Sequence, residues 1–126
     1  MSHSIEKNAD FIKVTYWGTL TNTDIQGVVS DAIMMNGKIL DSTNRIEDMR
    51  KLDSINLGFN ELSNLTHSIQ TIQLPRIVKT AILTGSPLQF GIARMFQSIL
   101  HHPKMKIEVF SNEEEAYNWL SSIDES

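Results

Sequence analysis

A chain of 126 residues, 40% hydrophobic and 21% charged, carries enough apolar material for one core, so a single domain spanning residues 1–126 is expected. The net charge of −4 and the pI near 5.5 count against nonspecific nucleic-acid binding, whose affinity comes from Lys and Arg on phosphates. Cysteine is absent, which excludes a disulfide framework, a thiolate nucleophile and a cysteine-based zinc site, and no apolar run approaches the roughly 20 residues of a membrane span.

The opening, MSHSIEKNADF, lacks a basic stretch followed by an apolar one, so no signal peptide is expected; a cytoplasmic location without integral membrane association follows as the default. His3 to Lys7 and Phe11 to Trp17 read as two strands joined by an Asn8-Ala9-Asp10 turn, an antiparallel hairpin that Gly18 is expected to end. A helix should follow, with Ile25, Val28, Val29, Ala32 and Ile33 on one stripe, a Thr23/Gln26 capping box and an Asn36-Gly37 stop.

Arg45 to Lys51 carries charge at almost every position, and its periodicity assigns nothing. A short strand is expected there because it lies between two helical patterns, and an α/β chain needs a strand to keep the alternation. Leu62, Leu65, Ile69 and Ile72 give one stripe on a helix from about Asn60 to Gln73, stopped by Leu74-Pro75.

Ile77 to Phe110 contains the clearest unit, a β-α-β segment. Ile77 to Leu83 reads as a buried strand, and Ser86-Pro87 as an N-cap with Pro at the first helical position. Leu88, Ile92, Met95, Phe96 and Ile99 form the stripe expected to face the sheet, whereas Phe90 projects to the other side near Arg94 and Gln97. His101-His102-Pro103 should close that helix. Met105 to Phe110 is the last strand, and a Ser111/Glu114 capping box with Glu113 to Glu115 opens a final helix with Ala116, Leu120 and Ile123 inward and Trp119 beside them. The expected fold class is therefore α/β: one mixed sheet with an N-terminal antiparallel hairpin followed by alternating helices and strands.

Several side chains are candidates for chemistry. Asp48 and Arg50 alternate on one strand face near its C-terminal end, where open α/β sheets place ligands, and pairing with each other is their simplest role. The Thr84-Gly85-Ser86 turn offers free N–H groups to an anion, but capping alone explains Ser86. His67 has no partner at helical spacing, and His101 and His102 point apart, so no metal site is expected. Arg76, Lys79, Lys104 and Lys106 are scattered and read as a solvated face. Phe90, with Leu88 and Ala93 around it, reads as a pocket mouth or a dimer surface.

Laid out in this way, the chain resembles the STAS family in its broad sense, the SpoIIAA-like proteins and their STAS/SEC14-like relatives. The motifs that carry the resemblance are TYWGTLTNTD, RIEDMRKLD, KTAILTG, FGIARMF and VFSNEEEAYNWL, in that order over nearly the whole chain. The resemblance implies a small α/β layer that acts by binding a protein or a small apolar ligand and not by catalysis. Antagonists of the group carry a phosphorylatable Ser in an Asp-Ser-Ser-Gly-like turn after the Asp-containing strand; here that turn reads Asn56-Leu57-Gly58-Phe59-Asn60, without a serine before Gly58, and Ser54 is expected to be an ordinary loop residue.

The expected function is a non-enzymatic interaction module that binds a protein partner or a second copy of itself, with Asp48, Arg50, Ser86, Phe90 and Arg94 as candidate binding residues. The alternative is a carrier or sensor of a small apolar or amphipathic anion, its head group near Arg50 or Arg94. Neither cofactor, metal nor catalytic residue is expected. The one partial catalytic set to consider is Ser86, Asp48 and His67, to be judged by whether the three come within hydrogen-bond reach.

Overall fold

A computed structural model describes residues 2–7, 10–25, 44–71, 74 and 76–122. Five strands form one sheet in the order β1 (Ser2–Lys7), β2 (Phe11–Thr21), β3 (Asn44–Asn56), β4 (Val78–Leu83) and β5 (Met105–Phe110). The β1–β2 pair is antiparallel and all later pairs are parallel, so the mixed sheet with its N-terminal hairpin is as expected. Three labelled helices follow the later strands: α1 (Phe59–Gln70), α2 (Pro87–Ile99) and α3 (Glu113–Ser121).

Alternation along the strands sends side chains to two faces, and each face has its own core. Ile12, Val14, Tyr16, Met49, Ile82 and Ile107 meet Ala93 and Phe96 of α2 on one face. On the other, Ile46, Ala81 and Leu83 meet Ala116 and Leu120 of α3, with Phe11, Phe110, Tyr117 and Trp119 around them. Because helices cover both faces, β4 is buried at all six positions, as parallel strands in such a layer are.

Two strands are longer than expected. Gly18 does not end β2; it takes φ 88°, a left-handed conformation open to glycine, while the pairing with β3 continues to Thr21. Register shifts between Thr15 and Trp17 and between Gly18 and Thr19 give β3 an extra residue at each place, so the ribbon bends without breaking. β3 accordingly runs to Asn56, although only Arg45 to Asp48 also pair with β4. Ser54 is therefore a strand residue and not a loop residue, its hydroxyl 2.8 Å from that of Thr19.

Two helix starts differ from expectation by one or two residues, because a neighbouring side chain was also able to cap. Residues 22–25 are helical, and the reciprocal bonds run between Thr21 and Asp24 instead of Thr23 and Gln26. Gln26, the stripe beyond Ile25 and the Asn36-Gly37 stop lie outside the described residues. Asn112, not Ser111, caps α3 by accepting from the Glu115 N–H, and Ile123 lies outside the described residues. Helix α1 starts at Phe59 after Gly58, whose position has no side-chain cap, and Ile72 and Gln73 are again outside the described residues. The strand expected from Ile77 begins at Val78, and α2 ends at Ile99 before the two histidines.

Helix α2 is rolled relative to the expected stripe. Leu88 and Met95 face water, whereas Gln89 and Ala93 are buried and Ile92 and Phe96 are partly covered. Gln89 accounts for the roll. Its side chain accepts from the Gly85 N–H at 2.7 Å and donates to the Leu52 carbonyl at 3.4 Å, so a polar residue sits inward where hydrophobicity alone would have placed Leu88.

Candidate functional site

At the C-terminal end of β4, the point where β3 leaves it, a charged network closes the α3 face. Asp48 is the last β3 residue paired with β4, and its carboxylate accepts from Arg50 Nε at 2.9 Å, from an Arg50 terminal nitrogen at 2.8 Å and from the Arg50 backbone N–H at 3.0 Å. Arg50 also donates to Glu113 at 3.3 Å, Lys13 donates to Glu113 at 2.8 Å, and the Tyr117 hydroxyl donates to the same carboxylate at 2.5 Å. Burial resists the charged form of Asp48, but the Arg50 hydrogen bonds and the nearby positive charges outweigh it and hold the carboxyl below its usual range. Lys13 first and Tyr117 second pull Glu113 down to about 2. Arg50 is pushed upward, chiefly by Asp48, and Lys13 upward, chiefly by Glu113. The expected Asp48–Arg50 pair is present, and two partners from β2 and α3 join it.

Ser86 caps α2 by accepting from the Gln89 N–H at 3.2 Å. The Gly85 N–H is taken by Gln89, and the Thr84 N–H by the Phe110 carbonyl, so the turn does not present those donors to an anion. Gly85 lies against Arg50, close enough that a Cβ would come within 3.3 Å of the Arg50 side chain, and this joins the cap to the charged network. Phe90 is 47% exposed, as expected, and Arg94 lies over its ring at 6.0 Å. Ala93 does not belong to that surface. At 2% exposure it faces the sheet.

Lys79 is a further departure from expectation. It is buried, its ammonium donating to the Trp119 and Ser122 carbonyls and to the Ser122 hydroxyl, and it locks the end of α3 to β4. The Ser86, Asp48 and His67 set does not assemble: Asp48 faces α3, whereas His67 is exposed on α1, across the sheet.

A cavity that the sequence did not disclose lies on the opposite face, between the sheet and helices α1 and α2. Its volume is about 160 Å³, and Leu62, Leu65 and Ile69 of α1 and Ile92, Ala93 and Phe96 of α2 form its helical wall. The sheet side brings Tyr16, Met49, Ile82 and Ile107, together with Arg45, Glu47 and Thr80. Arg45 and Glu47 form an ion pair inside the protein. Burial and the charge of Glu47 push the Tyr16 phenol well above its ordinary value. The signal for this pair was in the charge run: Arg45 and Glu47 stand two apart, like Asp48 and Arg50, but on the other face.

Comparison with known proteins places the chain in a family. A family model described as SpoIIAA-like matches residues 11–121. Among solved structures, an uncharacterized protein with a SpoIIAA-like fold from Shewanella loihica PV-4 is 18% identical, with a TM-score of 0.60 over 94% of this chain and 92% of that one. The anti-sigma factor antagonist SpoIIAA in its unphosphorylated form is 16% identical, with a TM-score of 0.53 over 97% of this chain and 100% of that one. The Bacillus cell fate determinant SpoIIAA in its phosphorylated form is 17% identical, with a TM-score of 0.50 over 94% and 99%. Comparison with curated proteins gives no significant match. At these identities the solved structures speak for the fold.

Proposed function

Because the chain belongs to the SpoIIAA-like family, we propose that it acts by binding and not by catalysis, and that its partner is a protein, a second copy of the chain included. One observation carries this reading: Leu88 at 58% and Phe90 at 47% exposure are both left in water in the first turn of α2, on opposite flanks of the buried Gln89. Met95 lies two turns further along the Leu88 side, and Arg94 lies over Phe90. Covering the exposed half of each of these side chains is worth about 1 kcal/mol, so the start of α2 has free energy to gain from a partner that its own fold does not supply. In this reading Arg50 and Ser86, joined through the contact of Gly85 with Arg50, supply the polar margin, while Asp48, expected to share it, is buried behind Arg50 and holds that side chain in place. One solved structure of this fold is described as an anti-sigma factor antagonist, and action by binding is in keeping with that description.

Phe90→Asp tests the proposal. Self-association measured by sedimentation, and capture of a partner by the tagged full chain, should both be compared with wild type. Loss of one or both, with the circular dichroism spectrum unchanged, is expected; a variant that keeps both would remove the main support.

The cavity under α1 and α2 favours a second reading, the carriage of a small apolar ligand. In this version the ligand meets Arg45 and Glu47, not Arg50 and Arg94 as the sequence suggested. Native mass spectrometry of freshly purified protein separates the two readings: a co-purifying small mass supports carriage, and a clean apo mass with a dimer peak supports association.

A further inference from the structure

Among the described residues the cavity lining is apolar except around Arg45, Glu47, Thr80 and the Tyr16 phenol, and that polar place is unfinished. Arg45 Nε, Glu47 Oε2 and Thr80 Oγ1 are buried atoms with no hydrogen-bond partner among the described residues. Arg45 is 6% and Thr80 5% exposed, so water outside the protein does not serve them. Thr80 is the partner of Arg45 in the β3–β4 register, which sets its hydroxyl beside the Arg45–Glu47 pair on the same face of the sheet. An unsatisfied buried donor or acceptor is costly and rare, and three on one cavity floor call for an occupant.

Their chemistry defines that occupant. The guanidinium N–H is a donor, the carboxylate oxygen an acceptor, and the threonine hydroxyl serves as either. Since Arg45 and Glu47 already neutralise each other, a carboxylate or ammonium entering here would bring an uncompensated charge into an apolar chamber. A group that both accepts and donates while carrying no charge, a hydroxyl or a primary amide, satisfies the floor without that penalty. Size follows from the volume: at about 160 Å³ the cavity is comparable to the roughly 150 Å³ apolar cavity that accepts one benzene molecule.

Resting on the ligand-carrying reading above, we propose that the chain holds an uncharged, benzene-sized amphiphile between the sheet and helices α1 and α2, with its hydroxyl or amide on Arg45, Glu47 and Thr80. The anionic head group expected from the sequence is replaced by a neutral one.

Phenol, toluene and benzoate share a ring and differ in the head, so titration of the ¹⁵N-labelled full chain with each at neutral pH tests the assignment. Phenol is expected to saturate about tenfold more tightly than toluene, roughly the free energy of one well-made hydrogen bond, and benzoate should not saturate. Thr80→Val, close in shape, should reduce the preference of phenol over toluene severalfold and leave toluene affinity within twofold. Glu47→Gln removes the charge that cancels Arg45 and should admit benzoate. Equal affinity for phenol and toluene would overturn the neutral polar head while leaving the cavity a ligand site. Benzoate binding to wild type more tightly than phenol would likewise overturn the head-group assignment. Failure of all three probes to shift resonances of the cavity lining would remove the ligand-carrying reading itself.

Discussion

Replacing Thr80 with Val should stabilise the ligand-free protein, against the usual direction of core substitutions. Both side chains are β-branched and similar in shape, so strand preference and rotamer restriction are retained. The Thr80 hydroxyl is buried without a partner among the described residues, and mutational scales put such desolvation at about 1–3 kcal/mol. A methyl in its place adds up to about 0.8 kcal/mol of apolar burial, reduced here because the Arg45–Glu47 pair keeps that end of the cavity polar. A net gain of about 1–2 kcal/mol follows, which for a chain of this length raises Tm by about 3–8 °C. Urea unfolding is the direct assay: the midpoint should rise at an unchanged m value, since the surface exposed on unfolding hardly differs. A loss of about 1 kcal/mol or more would refute the reasoning, because it would mean that the hydroxyl is bonded in the ligand-free protein, through a water shared with Arg45 and Glu47.

Three other outcomes are expected. Gly91 is an exposed residue inside α2 around which a Cβ would meet no atom within 4 Å, so Gly91→Ala should add about 0.5–1 kcal/mol, read as a higher melting temperature. Glu113 has its carboxyl at about 2, below an ordinary value of 4.5; its contribution is complete above 4.5 and lost as pH falls through about 2. With a side chain 31% exposed, that contribution is discounted for screening to about 1 kcal/mol, so Glu113→Gln should shallow the acid limb of a stability–pH curve, leaving the part owed to Asp48. Ser86→Ala should cost about 1 kcal/mol and Gln89→Ala about 1–2 kcal/mol in urea unfolding, and the double variant less than the sum, because both side chains serve one helix start.

At the turn where the resemblance to anti-sigma-factor antagonists would place a phosphorylatable serine, the structure agrees with the sequence. Gly58 stands at the N-cap of α1 without a side-chain cap, and Ser54 is held in β3 against Thr19. No serine hydroxyl occupies the cap, and the interaction proposed for this chain does not depend on one.

Strand β5 and the start of α2 were legible in the sequence because their signals are local. Met105 to Phe110 is a β-prone run between turn residues, and Ser86-Pro87 gives a cap and a fixed backbone angle that few other structures use. The Asp48–Arg50 pair was legible for a similar reason: residues two apart on a strand share a face whatever the strand packs against. Gly18 misled because positive φ permits a bulge as well as a stop, and only the pairing of β2 with the long β3 decides between them.

By itself, then, the sequence determined the element types, the alternation that makes the sheet, and which charged residues share a face. Which face is which came only from the tertiary structure. Arg45 and Glu47 look in the sequence like any other members of a charged run, but helices α1 and α2 close over their side of the sheet and α3 over the other, so one pair is sealed beside a cavity and the next joins Lys13 and Glu113. The roll of α2 has the same origin: the Gly85 N–H and the Leu52 carbonyl, neighbours of Gln89 only in the folded chain, draw it inward and leave Leu88 and Phe90 in water. Local pattern reports what a residue prefers; the assembled layers decide which preferences are met, and the atoms whose preferences are not met are where this protein is expected to bind.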